Sequence, residues 1–369
     1  MGAKRQIGRE GASLELTVAC FRRPQSLHCE GISKTVREMR GQSERQEIDV
    51  CRTEACLRLF ADEVSDGLSS FPKSLPCKYL YDEEGSRLFK EIMELQEYYP
   101  TRCEAEILER HKGRIAAALG SRDFNLVELG AGDGAKTKIL LRHFLEAGLR
   151  FSYVPIDISN SALQDLRDNL RREFPGLMVQ GLATEYFEGL QWLAQSYSRT
   201  NLILFLGSNI GNFTPSESRS FLSGLWNAAN GSDLVLIGFD LKKDLDTMLM
   251  AYNDRRGVTA RFNINILRRI NGELGGNFDL SNFEYYSTYN PKSGAIESFL
   301  ISRKRQNVHI DLCGRAFSFA EWEPIHTESS YKFDRGEFNK LAWENGFEEA
   351  DSFSDSRRYF ADVLWRVRK

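Results

Sequence analysis

A chain of 369 residues is long enough for one large domain or two moderate ones, and its hydrophobic share of 41% supports a packed core. A net charge of −3 argues against nucleic acid as a partner, and no apolar run approaches the ~20 residues that would span a membrane. Seven cysteines without a CxxC pair or a Cys/His cluster at zinc spacing read as free thiols of a cytoplasmic protein with no metal site.

Residues 1–48 are polar, mildly basic and aperiodic, and are expected to form a disordered extension. Met1-Gly-Ala-Lys-Arg-Gln6 opens like a myristoylation site but has Gln6 where Ser or Thr is wanted. Met39 is an alternative start. Residues 49–120 are expected to be a helical segment that contributes to the substrate site. In it Leu57, Phe60 and Val64 recur at helix spacing, a loop with Pro72 and Pro76 follows, and Leu88, Phe89, Ile92 and Met93 mark a second helix. Pro100 stops that helix, and Thr101 with Glu104 three residues on reads as a capping box for a third, running to about Leu119.

Strands are expected at 124–129, 151–156, near 177–180, 201–206 and 233–239, with helices at 136–147, 161–173, 186–196 and 216–229 between them. That alternation indicates an α/β fold with a parallel, doubly wound sheet whose ligand lies at the carboxyl ends of the strands. After Asp240 the rhythm changes. Leu245 to Ala260 reads as a helix, a hairpin turns at Asn290-Pro-Lys-Ser-Gly294, and a strand follows at Val308. Residues 243–333 are therefore expected to be an α+β insertion, while 121–242 and 334–369 form the main domain, ending in a helix at 334–345 and two strands.

The glycine loop Gly130-Ala-Gly-Asp-Gly-Ala135 follows the first strand and opens a helix. Its glycines let the backbone turn sharply and a flat adenosyl group lie against the main chain. Glu128 before it could face a cationic cofactor, Lys136-Thr137 starts the helix, and Asp157 ends the next strand at the spacing that holds ribose hydroxyls. Both S-adenosylmethionine and NAD fit this pattern; Glu128 and Lys136 favour the first. A second run, Leu202 to Pro215, ends a buried strand in Gly207, Ser208, Asn209, Gly211 and Asn212, amide groups suited to an amino-acid substrate. In a third, Glu328 and Ser330 share a face if the segment is extended, and a carboxylate beside a hydroxyl suits an imidazole or an amine.

Six ordered runs together resemble the histidine-specific, S-adenosylmethionine-dependent Nα-methyltransferases of ergothioneine biosynthesis. They are Phe71 to Phe89, Glu97-Tyr-Tyr-Pro-Thr-Arg102, Val127-Glu-Leu-Gly130, Phe205 to Pro215, Gly257 to Asn263, and Thr327 to Phe333. The resemblance spans about residues 70–367 and implies a Rossmann-like class I methyltransferase. It implies that Gly130, Gly132, Lys136, Asp157, Glu185, Tyr186 and Gly207 bind S-adenosylmethionine. It implies that Tyr98, Asn212 and Tyr252 hold the amino-acid group of L-histidine, and that Glu328 and Ser330 recognise the imidazole. Tyr81 matches a tyrosine close to the reacting amine, a candidate to take its proton. The chain departs from the family at Ala131 and Gly134, where serine is common, and at Glu185, where the family has aspartate. The expected reaction is up to three methylations of the α-amine, giving hercynine, by a monomeric enzyme. A tryptophan derivative as substrate, an NAD-linked oxidoreductase and an inactive binding module remain as alternatives.

Overall fold

A computed structural model describes residues 54–369 other than 121–122, 159 and 197–198. The extension expected over residues 1–48, Met39 included, lies outside the described residues. Helix α1 (Glu54–Ser69) leads through a short strand β1 (Lys73–Ser74) to α2 (Glu83–Met93) and α3 (Pro100–Leu119). Strand and helix then alternate through β2 (Phe124–Leu129), α4 (Thr137–Glu146), β3 (Phe151–Asp157), α5 (Asn160–Glu173), β4 (Leu182–Ala183), α6 (Tyr186–Ser196), β5 (Thr200–Phe205), α7 (Pro215–Ala228) and β6 (Leu234–Asp240). Two helices, α8 (Leu245–Met250) and α9 (Val258–Leu274), precede β7 (Phe283–Asn290), β8 (Ala295–Ser302), β9 (Gln306–Ile310), β10 (Arg315–Phe319) and β11 (Pro324–Tyr331). The chain closes with α10 (Arg335–Glu344), β12 (Phe347–Ser354) and β13 (Phe360–Val367).

The central sheet has seven strands in the order β12-β13-β6-β5-β2-β3-β4. Strands β6, β5, β2, β3 and β4 run parallel, and the terminal hairpin β12-β13 adds antiparallel to β6. Alternation along each strand sorts the core into two layers. Val127, Leu129, Ile203, Phe205, Val235, Ile237, Phe239, Val363 and Trp365 face α6, α7 and α10. Leu126, Leu202, Leu204, Leu234, Leu236 and Leu364 face α3, α4 and α5. Each such side chain contributes about 1.5–3 kcal/mol by leaving water. From β2 the order runs to β3 on one side and β5 on the other, so the crevice at the strand-order reversal lies between the carboxyl ends of β2 and β5.

A second sheet, β1-β11-β8-β7, is antiparallel except for β1 on β11, and α9 packs on it and against α2. It meets the main sheet where the turn after β5 touches β11. A Cβ on Gly211 would lie 2.8 Å from the Tyr331 carbonyl oxygen, so only glycine permits this approach. No helix among the described residues is long and apolar enough to cross a membrane.

Several elements differ from the sequence reading. Helix α3 starts two residues earlier than that cap implies, at Pro100, whose fixed φ suits the first helical position. Glu104 therefore makes no capping box. It is buried against Lys136, and it accepts the Gly207 N–H at 2.7 Å. The single helix expected over 245–260 is two, because Asp254 accepts the Val258 and Thr259 N–H groups at 2.9 and 2.8 Å and starts α9 afresh. The strand expected near 177–180 is one bridge, Tyr153 to Val179, with β4 beyond it. Strand β10, which the sequence reading left out, pairs with β9.

Candidate active site

Tyr81, Tyr98, Gly207, Asn212, Tyr252, Glu328 and Ser330 all line one cavity, with Phe89, Phe262 and Asp240. They come from distant stretches, and local geometry explains how each arrives. Tyr81 follows the turn before α2, and its ring meets Phe89 and Phe262 edge-on at 5.4 and 5.3 Å. Tyr98 stands between α2 and α3, with Tyr252 across from it at 6.4 Å between ring centroids. After β5 the backbone turns through left-handed φ values at Gly207 (79°) and Ser208 (56°), exposing this bend to the cavity. A serine held there is a strained position, of a kind that clusters at functional sites.

Glu328 owes its place to a β-bulge. The β11–β8 register shifts between His326 and Glu328, leaving Thr327 as the extra residue. Thr327 and Glu328 then both lie buried although they are neighbours in sequence. The Thr327 hydroxyl donates to Asn263 Oδ1 at 2.6 Å, and Glu328 lines the cavity. Among the described residues no side chain hydrogen-bonds the Glu328 carboxylate. Burial raises it from 4.5 to about 7, against the attraction of Lys332.

Beneath the cavity lies a saturated polar network. The Lys332 ammonium, wholly buried, donates to Tyr252 Oη at 2.8 Å and Ser330 Oγ at 2.8 Å, and lies 2.8 Å from Asp240 Oδ2. Tyr252 Oη and Ser330 Oγ are themselves 2.7 Å apart. Asp240 also accepts from the Tyr99 hydroxyl at 2.9 Å and pairs with Lys243. Burial alone would raise the Asp240 carboxyl, but Lys332 and Lys243 hold it below its ordinary value. The sequence reading assigned no role to Lys332 or Asp240. For Lys332 the signal existed, since 328, 330 and 332 share one face of an extended strand.

The residues implied to bind the cofactor gather beside the cavity at the strand-order reversal. Gly130, Gly132 and Gly134 have φ of 72°, 54° and 64°. The Gly132 N–H donates to Asp157 Oδ2 at 3.2 Å, joining the loop to the end of β3. A Cβ on Gly132 would meet nothing within 4 Å, so an open cradle lies over the loop. A Cβ on Gly130 would come 2.8 Å from Tyr186 Oη and 3.4 Å from Asn209 Nδ2. Asn209 thus stands between this loop and the cavity it also lines. Lys136 pairs with Glu104, so Glu104 couples the glycine loop to Gly207. Glu185 stands exposed to solvent just before α6, and the partial desolvation of its carboxyl raises it. Glu128 departs from expectation. Its carboxylate turns inward, accepting from Thr137 at 2.6 Å and from Tyr153, so it braces the loop and does not face a ligand.

An acid at the end of β3, an open glycine cradle and a tyrosine hydroxyl beside it fit an adenosyl group. Fold and loop together define an α/β protein that holds an adenosyl cofactor in the crevice between β2 and β5. The family model for histidine-specific, SAM-dependent methyltransferases matches residues 60–367, and the chain belongs to that family. The histidine N-alpha-methyltransferase of Mycolicibacterium smegmatis is 40% identical over 271 residues, which cover 73% of this chain and 83% of that protein. The protein of the same name from Mycobacterium tuberculosis is 39% identical with the same coverage. Ergothioneine biosynthesis protein 1 of Schizosaccharomyces pombe is 31% identical over 293 residues, covering 76% of this chain and 37% of that longer protein.

Proposed function

We propose that this enzyme transfers methyl groups from S-adenosylmethionine to the α-amine of L-histidine, up to the trimethylated betaine hercynine of ergothioneine biosynthesis. The observation that carries the reading is Glu328: a buried carboxylate, unpartnered by any described side chain, in an aromatic cavity beside the adenosyl cradle. An imidazole N–H supplies the missing donor.

The cofactor, when bound, supplies a methyl group on an electrophilic sulfonium. Asp157 would hold its ribose, Gly130 and Gly132 would admit its backbone-side face, and Tyr186 and Glu185 would flank the adenine. The protein's remaining work is to position the amine and exclude water. Asn212 and Tyr98 would orient the amino-acid group, and the rings of Tyr81, Phe89 and Phe262 form an apolar wall of the cavity. Burial, followed by the charge of Glu328, raises the Tyr81 phenol well above its ordinary range. Tyr81 therefore keeps its proton and orients the amine through its hydroxyl, and the amine must arrive neutral or lose its proton to water. Mass spectrometry of histidine incubated with enzyme and S-adenosylmethionine tests the reading. Mono-, di- and trimethylated histidine are expected, and unmodified histidine alongside intact cofactor would overturn it.

A further inference from the structure

We propose that Lys332 is a positioning residue that fixes the direction of the hydroxyl hydrogens on Tyr252 and Ser330, so that Ser330 presents an O–H donor to the substrate ring and Tyr252 an acceptor to its amino-acid end. The inference rests on histidine being the substrate, and it follows from counting hydrogens. A protonated lysine carries three N–H donors and no acceptor. Those of Lys332 meet three acceptors, Tyr252 Oη, Ser330 Oγ and Asp240 Oδ2, each at 2.8 Å. Its side chain is 0% exposed, so no water competes for them.

Each hydroxyl oxygen has one hydrogen and two lone pairs, and Lys332 takes one lone pair on each. The 2.7 Å contact between the two oxygens consumes one more hydrogen and one more lone pair. One O–H and one lone pair are left for the cavity. The phenol is the more acidic hydroxyl and the better donor, so Tyr252 donates to Ser330. The Ser330 hydrogen is then the one left for a ligand. A neutral imidazole has one N–H and one bare nitrogen. Glu328 accepts the first and Ser330 donates to the second, so the ring is read at both ends. Asp240 keeps Lys332 in place, and Tyr99 and Lys243 keep Asp240 in place. Without Lys332 both oxygens regain a lone pair, the pair rotates freely, and the donor at Ser330 is no longer enforced.

The test is a double-mutant cycle on histidine affinity, measured by calorimetry with S-adenosylhomocysteine present. Lys332→Met and Ser330→Ala are each expected to weaken histidine binding about tenfold, the range for losing one directed hydrogen bond. The double variant should bind no more weakly than Ser330→Ala alone, because Ser330→Ala already breaks the Tyr252–Ser330 pair through which Lys332 acts. Affinity for S-adenosylhomocysteine should be unchanged in all three. Where Lys332→Met loses cofactor affinity, Lys332→Met with Asp240→Asn replaces it in the cycle, removing both buried charges together. Losses that multiply would show a merely structural lysine and overturn the proposal. Wild-type enzyme that neither binds nor methylates histidine would overturn the functional reading, and this inference with it; multiplying losses in an active enzyme would overturn this inference alone.

Discussion

Replacing Glu328 with glutamine should stabilise the substrate-free protein above neutral pH and leave its stability unchanged in acid. The carboxyl is buried in the folded state and raised from 4.5 to about 7. Between those values the folded chain binds more protons than the unfolded one, so stability falls as pH rises through this window. At about 1.36 kcal/mol per pH unit, the full difference is about 3 kcal/mol, present above pH 7 and absent below pH 4.5. Glutamine mimics the protonated acid and never incurs this cost. For a chain of this size 3 kcal/mol corresponds to a rise in Tm of about 4 °C. Thermal unfolding of both proteins at pH 5 and pH 8 checks it: the curves should nearly coincide at the lower pH and separate at the higher one. Equal Tm at pH 8, or a variant that is less stable there, would mean that a protein group already satisfies the carboxylate, and the case for an imidazole partner would fail. The same variant should bind histidine several-fold more weakly, since an ionised acceptor is worth more to a ring N–H than an amide is.

Activity on histidine should rise from pH 6 to 9. Glu328 must ionise through about pH 7 to accept the ring N–H, and the α-amine of the free amino acid must lose its proton, at a still higher pH, to attack. In the Glu328→Gln enzyme the lower limb of the kcat/KM profile should disappear and the upper one remain. Asp157→Ala should weaken S-adenosylmethionine binding by ~10–100-fold, the loss of charged hydrogen bonds to two hydroxyls, with histidine affinity in the presence of saturating cofactor little changed; calorimetry reads both. Gly130→Ala should weaken cofactor binding and lower Tm, because φ is 72° and the new Cβ would sit 2.8 Å from Tyr186 Oη. Adding Tyr186→Phe should recover part of that loss, and no recovery would place the strain in the backbone alone.

The main sheet was legible because burial on both faces writes long apolar strands such as Leu126 to Leu129 and Leu202 to Phe205, each followed by glycines where the backbone must turn. The resemblance supplied the site residues, and the cavity gathers Tyr81, Tyr98, Asn212, Tyr252, Glu328 and Ser330 from five separate stretches. Spacing alone does not encode that convergence. The misreadings have a common physical origin: a side chain that suits a local role was engaged at long range. Glu104 sits at capping-box distance from Thr101 but pairs with Lys136. Glu128 sits beside the glycine loop but is held by Tyr153 on the neighbouring strand. The bulge at Thr327 was invisible too, since strict alternation would have sent Thr327 and Glu328 to opposite faces.

Two buried carboxylates that line the same cavity show how this site separates framework from function. Asp240 has Lys332, Lys243 and Tyr99 as partners and stays ionised; its pairing makes it rigid and leaves nothing to offer a ligand. Glu328 faces Tyr81, Tyr98 and Tyr252 across the same cavity and has no described side-chain partner of its own. If both were satisfied the cavity would be stable and inert, and if both were unsatisfied the buried charge would unfold it. Leaving one acceptor open costs the empty enzyme about as much as a ring N–H can return on binding. On the proposed reading the open acceptor is where specificity resides, and the saturated one is what keeps the hydroxyls around it from turning away.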